Sequence, residues 1–170
     1  FQLGRENGGG LHDMLSKAVD LGNAHGLTHA VKDKNGWQNL GTYNRYQAEE
    51  FGRFVSKIKG TREPNGDGNM LDNTFAMHGS ASSSFHLSRN YPIISAGGKN
   101  LGFSNGRYLN YVGLREDGSL PGAGVSSDAG WRSKVSEEEP PLAKLFVSIL
   151  QRLGVETDSF AGYSGTLDRV

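Results

Sequence analysis

Apolar residues fall along this chain in short bursts separated by glycine and polar residues, and the spacing within each burst sets its element. Leu11, Leu15, Ala18 and Leu21 recur at helical intervals, and Gly22 follows as a stop, so a first helix is expected there. A longer one is expected over Thr42–Lys59. Tyr43, Tyr46, Glu50, Phe54 and Ile58 share one side, and Gly60 lies just beyond. The widest stripe comes last: Leu142, Leu145, Phe146, Ile149, Leu150 and Leu153. It follows Pro140 and Pro141, is preceded by three glutamates at the positive end of the dipole, and closes on Gly154.

Between the helical segments the pattern shortens. "NTFAMHGS" and "YPIISAGG" read as two short buried strands that break at glycine or serine, and "GRYLNYV" as a third. "TREPNGDGN" is turn chemistry throughout, and "KDKNGWQNLG" reads as a polar loop. From 113 to 139 the chain is polar, glycine-rich and aperiodic, which predicts a long loop. Strands alternating with helices predict an α/β domain: a small, partly parallel sheet with helices packed on it, rich in loops, with the site at the strand ends.

A chain of 170 residues suits one domain, 1–170, with a proper core. It opens on Phe1, Gln2 and Leu3, which look like the end of a strand, and truncation at the N-terminus is expected. Lys plus Arg and Asp plus Glu are 18 each, so no net field steers the chain to nucleic acid or an anionic membrane. No apolar run is long enough for a membrane span. The 25 glycines agree with a loop-rich fold. Having no cysteine, the chain has no disulfides, thiolate metal sites or cysteine nucleophile.

Histidine is where chemistry concentrates. "HGLTH" sets His25 and His29 four positions apart, one helical turn, where both imidazoles could reach one cation. Gly26 opposes a helix, and the zinc-protease pattern would need glutamate there, so two loop histidines bonded to backbone is the competing reading. His78 closes a strand and His86 follows a serine run, both positions where ligands collect; a strand residue merely reaching the surface is the alternative for His78. His12 lies on the first helix and carries no such signal. "GSASS" lacks the second glycine of a nucleophile elbow. "NGDGN" lacks the downstream glutamate of a calcium loop, and "SAGGKNLG" lacks phosphate-loop spacing.

The order of segments carries more than any one of them. "HGLTHA", then "NMLDNTFAMHGSASSSFHLSRNYPIISAGG", "GRYLNY" and "PPLAKLFVSILQRLGVETDSF" resemble the C-terminal part of a family of exported bacterial proteins of unknown function, named for an H-x-x-S-H-H motif. That family looks related to the alkaline phosphatase and sulfatase superfamily of metal-dependent hydrolases. The resemblance implies the C-terminal part of an alkaline-phosphatase-like fold and a periplasmic or extracellular location. It places His25, His29 and His86 as metal ligands, His78 near them, and Ser80 or a metal-bound water near the reacting centre, with a divalent cation such as zinc or calcium. The chain departs from the pattern at Ala30, Ser88 and Tyr108, where the family has histidine, and at Thr28, where it has serine. These losses, and the lack of an N-terminal half to supply a nucleophile, favour a non-catalytic structural or binding subunit of a larger exported assembly, with protein partners. The alternative is a metal-dependent hydrolase of phosphate or sulfate esters.

Overall fold

A computed structural model describes residues 18–80, 91–109, 142–167 and 170. The chain divides into two compact units, Phe1–Ile58 and Lys59–Val170, and each is taken by itself. The segment 113–139, the prolines 140 and 141, and most of the first expected helix lie outside the described residues.

In the first unit, residue 18 is helical, and Asp20 then takes a left-handed φ of 54°. That reversal comes two residues before the expected stop at Gly22; a short polar side chain tolerates it. Helix α1, Ala24–His29, follows, then one 3-10 turn over Ala30–Lys32. Helix α2 runs Gly36–Lys59, so it begins six residues before the Thr42 expected from the apolar stripe. The reason lies in "DKNG". The Gly36 N–H donates to the Asp33 carbonyl at 2.9 Å, and the Asn35 carbonyl, at φ 62°, accepts the N–H of Asn39. A side chain at Gly36 would collide with backbone, its Cβ falling 1.9 Å from the Ala30 carbonyl oxygen. Local backbone bonding thus starts the helix through a polar stretch.

The covered side of α2 also differs from expectation. Tyr43 and Ile58 are buried, and Gln47, Phe51 and Val55 are half-buried between them, whereas Phe54 is exposed. Steps of four along the helix carry the stripe through Phe51 and Val55. Gln47 donates to the Tyr43 hydroxyl at 3.1 Å, which satisfies a phenol lodged in a covered position. Glu49 pairs with Arg45 at 3.2 Å and Arg53 at 3.6 Å, and Arg53 also pairs with Glu50. These exposed pairs contribute about 0.3–0.5 kcal/mol each.

The second unit opens with the turn that the sequence predicts. Arg62 and Asn69 bridge antiparallel, and the Met70 N–H donates to the Thr61 carbonyl at 2.9 Å. Asn69 caps a short 3-10 helix, Met70–Asn73, its Oδ1 accepting from Leu71 and Asp72 while Asp72 accepts from the Asn69 N–H. Strands β1, Phe75–Gly79, and β2, Ile93–Gly97, lie where the apolar runs predicted. They pair antiparallel, Phe75 opposite Gly97 and Gly79 opposite Ile93. The protein is therefore mixed α/β, with its described sheets antiparallel and not partly parallel. The burial pattern fits this. Parallel strands are covered on both faces, yet Met77 and Ile94, on opposite faces of this ladder, are both exposed. The described part of the third expected strand, 106–109, is not a strand.

At its other end the ladder is closed tightly. Gly97 has φ 85°, and a Cβ there would lie 2.2 Å from the Thr74 carbonyl oxygen. Past it, Phe103 is buried and stacks on Phe75 with ring centroids 4.1 Å apart.

Helix α3, Leu142–Arg152, buries Ala143, Leu145, Val147 and Ser148; of the stripe expected, Leu145 is buried and Leu142, Phe146, Ile149 and Leu150 are half-buried. Leu153, counted in that stripe, is exposed. The helix ends as predicted at Gly154. Its N–H donates to Gln151, that of Val155 donates to Leu150, and Gly154 has φ 83°, the αL reversal that closes a Schellman cap. A hairpin follows, β3 (Ser159–Phe160) and β4 (Tyr163–Ser164), its two-residue turn formed by Ala161 at φ 51° and Gly162 at φ 84°. Phe160 packs its ring 5.2 Å from that of Phe146 on α3. Both central residues of such a turn need positive φ, so Ala161 sits in strained backbone.

These two reversals predict opposite outcomes in urea denaturation. Gly154→Ala should lower stability by about 1 kcal/mol, since only its backbone angle objects. Ala161→Asn should raise it by about 0.5–1 kcal/mol, because asparagine tolerates the same angle.

Candidate functional site

The "HGLTH" stretch is helical despite its glycine. Asn23 stands just before α1 in extended backbone, φ −68° and ψ 150°, and its Oδ1 accepts the Gly26 N–H at 2.7 Å. The Leu27 N–H donates to the Asn23 carbonyl at 3.1 Å, and the Leu27 side chain is buried. Thr28 returns its hydroxyl to the His25 carbonyl at 2.7 Å. Capping at one end, one buried anchor and the following 3-10 turn together hold a helix that would be too short to persist alone.

On that helix His25 and His29 share a face, as the helical reading of their spacing requires. Their Nε2 atoms lie 3.1 Å apart, and the rings meet edge to face with centroids at 4.6 Å. His29 is exposed and His25 half-buried. At that separation one ring donates and the other accepts, the roles set by the tautomers of the two rings.

The other expected ligands divide. His78 lies on β1 opposite Ile94, on the sheet face that also holds Ala76 and Ala96, and it is half-buried. Ser80 directly follows β1, its N–H donating to the Pro92 carbonyl at 3.4 Å. His86, His12 and Ser88 lie outside the described residues. Among the described residues no group of three or more His, Cys, Asp or Glu side chains converges as a metal site would require. "NGDGN" is a turn whose Asp72 neighbour is engaged in capping.

A second surface feature was not visible as a site in the sequence. Leu153, Val155, Phe160 and Tyr163 are each between 42% and 53% exposed, though all are large and apolar or aromatic. All four lie on the cap of α3 or the hairpin that follows it. Phe160 pairs with Tyr163 across the turn, and the Val155 N–H is tied back to Leu150. The available signal was "FAGY", two aromatics flanking a two-residue turn, which forces both side chains to one face of a ladder with no third described strand. Tyr108 and Trp37 are exposed as well.

Among the described residues no helix is long and apolar enough to cross a membrane. No protein family, curated protein or solved structure matches the chain.

The cap is the handle on the histidine pair. Asn23→Ala should cost about 1 kcal/mol of local helix stability. Hydrogen exchange at residues 26–29 should then quicken roughly five-fold, one such increment of local opening free energy, with the long helix α2 unaffected.

Proposed function

We propose that this chain is a non-catalytic binding or structural subunit of a larger exported assembly, built on a reduced alkaline-phosphatase-like fold. One observation carries the reading: the four large side chains Leu153, Val155, Phe160 and Tyr163, on the end of α3 and the hairpin that follows, are each roughly half exposed. Exposed clusters of this kind, aromatic in part, are what protein interfaces bury, and two tyrosine- and phenylalanine-type anchors suit the centre of one. The short sheets agree with it, because two strands are marginal in water without further cover. The balanced charge supports a protein partner over nucleic acid. Export to the periplasm or cell surface rests on the resemblance to the H-x-x-S-H-H family.

A second reading is favoured by the meeting of His25 and His29: a metal-dependent hydrolase of phosphate or sulfate esters, with His86 and His78 as further ligands and Ser80 near the reacting centre. Imidazoles converging on one point are the start of a catalytic metal site, which needs at least one more protein ligand and an open position.

Size-exclusion chromatography with light scattering, on protein isolated from its native source, separates the two. The subunit reading expects a mass well above that of one chain, and a single-chain mass for the double variant Leu153→Ser, Phe160→Ser with unchanged circular dichroism. A single-chain mass for the unaltered protein would overturn it. Zinc-dependent turnover of p-nitrophenyl phosphate or sulfate, lost in His25→Ala, would establish the hydrolase instead.

A further inference from the structure

We infer that Asn65–Gly66 is a self-modification site. There the chain converts Asn65, with water and loss of ammonia, into aspartate and isoaspartate, and so slackens the turn that leads into β1. The inference rests on neither functional reading, since it needs no metal, partner or substrate.

The sequence has four asparagines followed by glycine, at positions 7, 35, 65 and 105. Such a pair is reactive because glycine has no Cβ to keep its nitrogen away from the neighbouring side-chain carbonyl carbon. The pair at 7 lies outside the described residues, and the fold treats the other three differently.

At Asn35 the attacking nitrogen is held. The Gly36 N–H donates to the Asp33 carbonyl at 2.9 Å, and Gly36 is buried as the first residue of α2. At Asn105 the leaving group is held, because its Nδ2 donates to the Gly97 carbonyl at 2.9 Å. At Asn65 neither restraint exists. Asn65 and Gly66 are both exposed. Among the described residues, neither the Asn65 side chain nor the Gly66 N–H has a hydrogen-bond partner. The loop is closed around them instead: the Glu63 N–H donates to the Gly68 carbonyl at 3.2 Å, and Pro64 fixes its own φ.

The reaction is redox-neutral. The Gly66 nitrogen gives its proton to solvent base and bonds to Cγ of Asn65. The Cγ–Nδ2 bond breaks, and Nδ2 takes a proton from water and leaves as ammonia. One water then opens the five-membered imide. Opening at Cγ leaves an aspartate; opening at the main-chain carbonyl carbon leaves an isoaspartate, whose main chain is one methylene longer.

Placement gives the change its consequence. The new carboxylate joins Glu63 and Asp67 in one loop. The longer main chain falls inside two ties, the Met70 N–H to the Thr61 carbonyl at 2.9 Å and the Arg62–Asn69 bridge. Asn69 also caps the 3-10 helix whose Leu71 carbonyl accepts the Gly98 N–H at 2.9 Å, next to the end of β2. A one-way change at an exposed residue thus acts on the closed end of the ladder.

Incubation of the purified full chain in mildly alkaline buffer, followed by tryptic peptide mass spectrometry, tests this. Cleavage after Arg62 and Arg89 isolates residues 63–89, where Asn65 alone precedes glycine. The mass gain of NH2 replaced by OH should appear at Asn65 about ten-fold faster than at Asn35 or Asn105, each protected by a hydrogen bond. In concentrated urea the three rates should converge, which assigns the difference to the fold. Gly66→Ala should suppress the gain at Asn65 and leave the other two unchanged. Gly66 is not among the glycines with positive φ, and an added Cβ meets only the flexible Glu63 Cγ, at 3.3 Å, so circular dichroism should be unaltered. Hydrogen exchange at Met70 should quicken in the isoaspartate form beyond its rate in Asn65→Asp, which carries the charge without the extra methylene. No mass gain at Asn65, an equal or faster gain at Asn35 or Asn105 in the folded chain, or unchanged Met70 exchange in the isoaspartate form would overturn the proposal.

Discussion

One side chain ties distant parts of the second unit together, the guanidinium of Arg152. Arg152 is the last residue of α3, and it reaches two pieces of chain far from it in sequence, residues 102–103 and residue 170. One terminal nitrogen donates to the Gly102 carbonyl, the other to the Val170 carbonyl at 2.6 Å, and the guanidinium carbon lies 4.9 Å from the centre of the Phe103 ring. A planar fork with several donors can meet two carbonyls and a ring face at once; a lysine ammonium could not. Phe103 in turn stacks on Phe75 of β1, so the helix end and the two-stranded sheet share one joint. Ser148, one turn back, adds a second tie: its hydroxyl accepts the Leu167 N–H at 2.9 Å, drawing the C-terminal strand of chain along the helix.

That joint explains where the unit is closed and where it is open. Around Phe103 the backbone approaches so closely that Gly97 and Gly98 leave no room for a side chain, and Ala76 is buried. Two residues further along the same ladder, Met77 and Ile94 face outward. The same asymmetry repeats at α3, where Val147 is wholly covered and Leu153, past the Arg152 anchor, is not. Cover is thus uneven along each element, and in α3 it is complete at Val147 within the helix and lost at Leu153, just past its end. A short ladder cannot spread cover further, because each strand has only one described neighbour.

Local signals were legible in the sequence, and non-local ones were not. The Gly154 stop, the strand cores at 75–79 and 93–97, and the turn at 61–69 each depend on residues next to one another, and each is found where its chemistry says. The early start of α2 was hidden because it begins in backbone bonding of Asp33 and Asn35, with no apolar residue to mark it. The sheet direction was hidden because short apolar runs bounded by glycine look alike whether covered on one face or two. Leu153 shows the same limit from the other side: periodicity counts it into a stripe, but the Schellman cap turns the chain before it can be covered. As for the histidines, spacing alone could not choose between helix and loop. Asn23 decides it, a cap three residues before the glycine that argued against a helix.

What the two surface features ask of the chain is different in kind. The histidine pair depends on local order: a cap, one buried leucine and one helical turn suffice, all within residues 23–29. The apolar cluster at 153–163 depends on distant order, since the helix end that presents it is located by Arg152 through residues 102 and 170. A perturbation at Arg152 would therefore displace the exposed apolar side chains at 153–163, while one at Asn23 would disturb the imidazole pair. Binding chemistry that rests on a single turn survives the loss of a neighbouring element; an interface built from several elements does not.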